Sequence, residues 1–119
     1  MNADQIAEIR PAVREAIQGA PNTCVTLQIK GDPSKWVQIA ANTVNAAYPH
    51  AVTPDERLRT LSQLGERGKL VSWKSGKFAT FEFEKMEPTP LAHWIDAYFV
   101  GVLACSPGDY HVDVACEQI

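Results

Sequence analysis

The sequence predicts an α+β fold: one antiparallel sheet of about five strands covered by helices, in the order α-β-β-α-β-β-α-β. Three observations lead there. Several stretches alternate apolar and polar residues strictly, as half-buried strands do. Others place apolar residues three and four apart, as amphipathic helices do. Most of the strands come in hairpins, which favours an antiparallel sheet.

The first element is a helix over residues 2–18. Ile6, Ile9, Val13, Ala16 and Ile17 fall on one face, Asn2 can cap the start with Gln5 three residues on, and Gly19 is a stop. Pro11 conflicts with an unbroken helix, because its ring displaces the bond to the Ala7 carbonyl; a kink or a later start is expected. "TCVTLQIKG" then alternates, with Val25, Leu27 and Ile29 opposite Thr26, Gln28 and Lys30. After the turn "GDPS", "KWVQIAANTVNAAYP" reads as one second strand. Its apolar parity changes near Asn42, from Val37, Ile39 and Ala41 to Val44, Ala46 and Tyr48, which predicts a bulge or bend.

Thr53 to Leu64 carries strong helix-start signals. Thr53 is at the cap, Pro54 at the first helical position, and Glu56 completes a capping box. Leu58, Leu61 and Leu64 form its buried stripe, and Gly65 ends it. "KLVSWKSGKFATFEFE" is a hairpin. A three-residue loop, Lys74-Ser75-Gly76, pairs Trp73 with Lys77 and puts Val71, Trp73, Ala79, Phe81 and Phe83 on one face, with Gly76 left-handed. A second Thr-Pro start opens the helix from Thr89 to Leu103, whose main face holds Leu91, Ile95, Tyr98, Val102 and Leu103. Gly101 inside it suggests close packing. "YHVDVACEQ" closes the chain as a strand, with Tyr110, Val112, Val114 and Cys116 inward.

At 119 residues the chain fits a single domain, 1–119, long enough to bury a core. A net charge of −3 without a basic face argues against nucleic-acid binding. No apolar run reaches the roughly 20 residues of a membrane span. Mixed charges in the first residues do not resemble a signal peptide, and three cysteines without paired spacing argue against a disulfide framework. A cytoplasmic protein with reduced thiols is expected.

No chemical motif stands out. There is no phosphate loop, no nucleophile elbow, no dinucleotide fingerprint and no CxxC. His111 and Asp113 lie two apart on the last strand and share a face, so with Glu117 they offer a loose metal set or the basis of a small enzyme; a solvated polar face is the preferred reading. Cys24, Cys105 and Cys116 sit in apolar settings, where thiols are usually inert, and burial is expected for Cys116. His93 and Asp96, one turn apart, read as a surface pair, and His50 follows Pro49 in a loop. No catalytic residue and no cofactor are assigned. The aromatic residues exceed what one side of a small sheet must bury. Trp36 and Phe78 fall opposite their strands' main apolar sets and, with Trp94, are the candidate partner-binding anchors.

The aromatic-Val-Gln strand (Trp36, Val37, Gln38) and the leucine-rich helix closing on Leu64-Gly65 resemble the type III secretion chaperone-like fold, in its branch of small bacterial TY-Chap or YbjN-like domains. The likeness spans about Ala3 to Leu103; the strand from Tyr110 to Cys116 lies beyond the usual last helix. The resemblance implies a bacterial, non-enzymatic protein-binding domain, usually a homodimer, that holds an extended partner segment. The expected function is therefore a chaperone-like or adaptor module using apolar grooves and exposed strand edges, with an immunity role in the same class. The alternatives are a small enzyme or metal-binding protein using His111 and Asp113, and a small-molecule sensor with a pocket between sheet and helices.

Overall fold

The computed structural model describes residues 3–19, 23–40, 43–49, 68–83, 88–106 and 110–118. The helix expected at Thr53–Leu64 and His50 lie outside the described residues. The elements are α1 (Ala3–Gln18), β1 (Thr23–Ile29), β2 (Asp32–Ala40), β3 (Thr43–Ala47), β4 (Gly68–Lys74), β5 (Phe78–Phe83), α2 (Pro88–Gly101) and β6 (Val112–Gln118). The strands form one sheet in the order β4-β5-β3-β2-β1-β6, and every neighbouring pair is antiparallel.

The described sheet thus has six strands where about five were expected. The difference is at Asn42: the predicted second strand is two strands, β2 and β3, paired from Ala40↔Thr43 to Val37↔Ala46. A hairpin with two connecting residues pairs odd positions with even ones. The parity change was therefore the mark of a chain reversal, and Ile39 meets Val44 on the same face. Ala41-Asn42 lacks the Asn-Gly or Asp-Gly signature that would have announced a hairpin.

The β4–β5 hairpin has the expected three-residue loop with Gly76 left-handed (φ 71°), but the loop is Ser75 to Lys77, and Trp73 pairs with Ala79 rather than Lys77. The Lys77 N–H closes the turn on the Lys74 carbonyl at 3.0 Å. A displacement of two residues keeps Trp73 on the face of Ala79, Phe81 and Phe83. Val71 departs from that face: the pairing is irregular between Leu70 and Ser72, and Val71 is 48% exposed.

Both helices lie on the same side of the sheet, over its apolar face. α1 runs unbroken through Pro11, which is exposed, as is Ala7. The carbonyl that Pro11 leaves without a donor therefore faces water, where the loss costs least. α1 buries Ile9, Ala12, Val13 and Ala16 against β1 and β2. α2 meets β3 and β5 through large rings. Trp94 stacks on Tyr98 (centroids 5.3 Å), and Phe81 and Phe83 set their edges to Trp94 at 5.2 and 5.3 Å. The Tyr98 hydroxyl donates to the Ala47 carbonyl at 2.8 Å, tying the helix to β3. Gly101 is exposed, so close packing does not account for it.

α2 ends in a tight reversal. The Leu103 N–H reaches the Tyr98 carbonyl (3.1 Å) and the Cys105 N–H the Phe99 carbonyl (2.9 Å), with Ala104 left-handed between them at φ 59°. Alanine is strained in that conformation and glycine is not. Ala104→Gly is expected to be neutral or to stabilise the fold by up to about 1 kcal/mol in urea unfolding. Trp94→Ala, which empties the centre of the ring cluster, is expected to cost about 3–5 kcal/mol in the same measurement.

Candidate functional site

The register sorts the other side of the sheet into rows. One runs Gln28–Trp36, then Ala47–Phe78–Lys74, across the sheet. The Val37↔Ala46 pairing puts Trp36 next to Ala47, so Trp36 and Phe78 stand on either side of a small residue. Both rings are half-buried, and Ala47 between them is buried. The adjacent row is Thr26–Gln38–Asn45–Thr80–Ser72. Here the Gln38 amide donates to the Thr26 hydroxyl at 3.3 Å, and the Thr80 hydroxyl donates to Asn45 Oδ1 at 2.9 Å. These bonds run along the row from strand to strand and hold the side chains flat against the sheet.

No described element packs on this face; both helices cover the other. Glu82 lies nearer its centre, and other charged side chains lie toward the margins, among them Lys74 on β4, Lys30 after β1, and Asp113 and Glu117 on β6. The face therefore carries an aromatic pair within a largely polar field, with most of its charge toward the margins.

Of the three expected anchors, the structure brings Trp36 and Phe78 together in one row and removes Trp94. Trp94 is 1% exposed in the core, and its indole N–H has no hydrogen-bond acceptor among the described residues. It lies on the buried side of α2, where the apolar face is wide enough to take it inward with Ile95, Tyr98 and Phe99.

His111 precedes β6 and Asp113 lies within it, and the two engage different partners rather than each other. His111 Nδ1 is 3.2 Å from Glu8 Oε2, and Asp113 Oδ1 is 3.9 Å from Lys30 Nζ; about two-thirds of each side chain is exposed. Among the described residues no group of three His, Cys, Asp or Glu side chains could hold a metal ion. Cys116 is exposed, contrary to expectation: it keeps the inward parity, pairing with Val25, but no helix extends over it at the sheet edge. Cys24 and Cys105 are buried, and burial raises both thiols above their usual range. A buried, protonated thiol is a poor nucleophile.

Two polar features were not anticipated. Asp96 is buried and accepts a hydrogen bond from the Tyr110 hydroxyl at 2.5 Å, so it is not a surface partner of the exposed His93. Glu8 on α1 serves β6 twice, accepting from the Val112 N–H at 2.8 Å with Oε1 while Oε2 meets His111. Each joins residues a hundred positions apart or separated by a loop, so no local pattern could signal it. Tyr110 on the inward parity was legible; its acceptor was not.

No helix among the described residues is long and apolar enough to cross a membrane. Comparison with protein-family models, with curated proteins and with solved structures returned no match in any of the three.

All three tyrosines, Tyr48, Tyr98 and Tyr110, are buried. Burial raises the Tyr98 and Tyr110 phenols far above the ordinary value, with the Asp96 hydrogen bond adding to it at Tyr110. An acid whose pKa is raised by folding contributes stability that is full below its unfolded value and is lost as pH climbs past it, here above about pH 10. Tyrosinate absorbance near 295 nm is therefore expected to rise together with loss of the fold, and urea stability to fall between pH 9 and 11.

Proposed function

We propose that this protein is a non-enzymatic binding module, a chaperone-like or adaptor domain that docks another protein on the sheet face opposite the two described helices. The observation that carries the reading is the row in which Trp36 and Phe78 flank Ala47 on a largely polar face. Half-buried rings lose little conformational freedom on binding, and the hydrogen-bonded pairs Gln38–Thr26 and Thr80–Asn45 already hold the floor beside them rigid. The partner contributes apolar side chains that fit over Ala47 between the rings. Resemblance to the type III secretion chaperone-like fold supports the same class of function, and with it a homodimeric, cytoplasmic protein. The alternative built on His111 and Asp113 has less support, since each side chain is solvated and engaged with a partner of its own.

The test is comparative co-purification from the native cell with wild type and a Trp36→Ser, Phe78→Ser double variant, followed by reconstitution with the purified partner. A partner bound by the wild type is expected to bind the double variant at least about a hundredfold more weakly, as loss of two aromatic anchors implies. Circular dichroism and melting confirm that the variant is folded. Equal binding by both proteins would refute the outer face as the site.

A further inference from the structure

β6 ends the sheet, and two hydrogen bonds fix which way its backbone points. The Lys30 N–H donates to the His111 carbonyl at 2.9 Å, in register with the β1–β6 ladder. His111, and by alternation Asp113, Ala115 and Glu117, therefore turn their N–H and C=O groups toward β1. Val112, Val114 and Cys116 turn theirs outward. Val112 confirms this, because its N–H leaves the sheet and is taken by Glu8. Beyond Glu8 the edge is open: no described residue takes the outward groups of Val114 and Cys116.

The side chains along this edge match the same division. Val114 and Cys116 lie on the helix side of the sheet, in register with Leu27 and Val25, yet Val114 is 47% exposed and Cys116 is exposed. Asp113 and Glu117 are exposed on the opposite side, and a lysine, Lys30, already approaches Asp113. The edge carries neither proline nor a described cover; it offers two free backbone positions, two uncovered apolar side chains and two carboxylates, whose charge disfavours an acidic or neutral strand and favours a basic one.

We propose that the β6 edge binds an extended protein segment as a seventh, antiparallel strand, and that the segment alternates basic and apolar residues. Its apolar residues sit beside Val114 and Cys116, its basic residues beside Asp113 and Glu117, and a small or polar residue beside Ala115. Glu8 marks one end of the groove by holding the Val112 N–H. Two registers open to a second copy are disfavoured. Pairing two β6 strands about Ala115 sets Asp113 against Glu117 twice, and pairing about Val114 requires the Val112 N–H that Glu8 occupies. The inference rests on the reading of the protein as a binding module but uses a surface distinct from Trp36 and Phe78.

The probe is a fluorescein-labelled peptide with the core Lys-Val-Thr-Val-Lys, followed by anisotropy and by amide shifts of Val114 and Cys116. Saturable binding is expected. N-methylation of both valines is expected to weaken it at least about tenfold, whereas N-methylation of the threonine, whose N–H points away, leaves it unchanged. Replacing both lysines by glutamate is expected to weaken it by a similar factor. Val114→Pro removes only an outward N–H, so it keeps the fold and loses the peptide; the doubly methylated peptide makes the same test without altering the protein. The Trp36→Ser, Phe78→Ser variant still binds this peptide, which separates failure at the edge from failure at the outer face. No binding, equal binding of the methylated or glutamate peptides, or a β6-dependent second copy that excludes the peptide would each overturn the proposal.

Discussion

Antiparallel register is the constraint on which the rest of this structure depends. Side chains on a pleated strand alternate between two faces, so a pairing displaced by one residue would turn an apolar set to the wrong side. Val25 opposite Ile39, Ile39 opposite Val44, and Val44 opposite Phe81 make one continuous apolar line across four strands. That line requires a cover, and the two described helices supply it in different ways. α1 lies close through alanine and valine, and α2 stands on a layer of aromatic rings.

Once one face is fixed as the buried one, the composition of the other follows. Thr26, Gln38, Asn45 and Thr80 are the alternate residues of the same strands, and their mutual hydrogen bonds depend on the same register. Trp36 and Phe78 are aromatic residues on the parity that should be polar. Part of each ring is used in packing: both flank the buried Ala47, and Trp36 packs against the hydrophobic core, while the rest of each ring stays uncovered. Edge position matters separately. β6 keeps the inward parity of Val114 and Cys116, but α1 does not reach over them, and apolar side chains remain uncovered beside open backbone.

Much of the architecture was legible in the sequence because two-residue and helical periodicities are local. β1, β5, α2 and the left-handed Gly76 stand as those patterns imply, and α1 does so despite Pro11. The third strand was visible only as a parity change at Asn42, and Ala41-Asn42 gave no turn chemistry to convert it into a hairpin. Cys116 had the right parity for burial, but burial also needs a covering element, and coverage is a property of the assembled fold. Trp94 was misplaced for the converse reason: α2 is apolar around most of its circumference, so periodicity alone did not say which rings lie inward. Asp96–Tyr110 and Glu8–Val112 join distant parts of the chain, and nothing in the local sequence marks such pairs.

The central claim is that one face of the sheet is dry and that, among the described residues, the other is an uncovered aromatic and polar surface. Hydroxyl-radical footprinting read by mass spectrometry tests it most directly, because tryptophan and phenylalanine react in proportion to their exposure. The account predicts ready oxidation at Trp36 and Phe78, protection of Trp94, Tyr98 and Phe81, and loss of the first two signals when a protein partner binds. Protection of Trp36 and Phe78 in the free protein together with oxidation of Trp94 would contradict it.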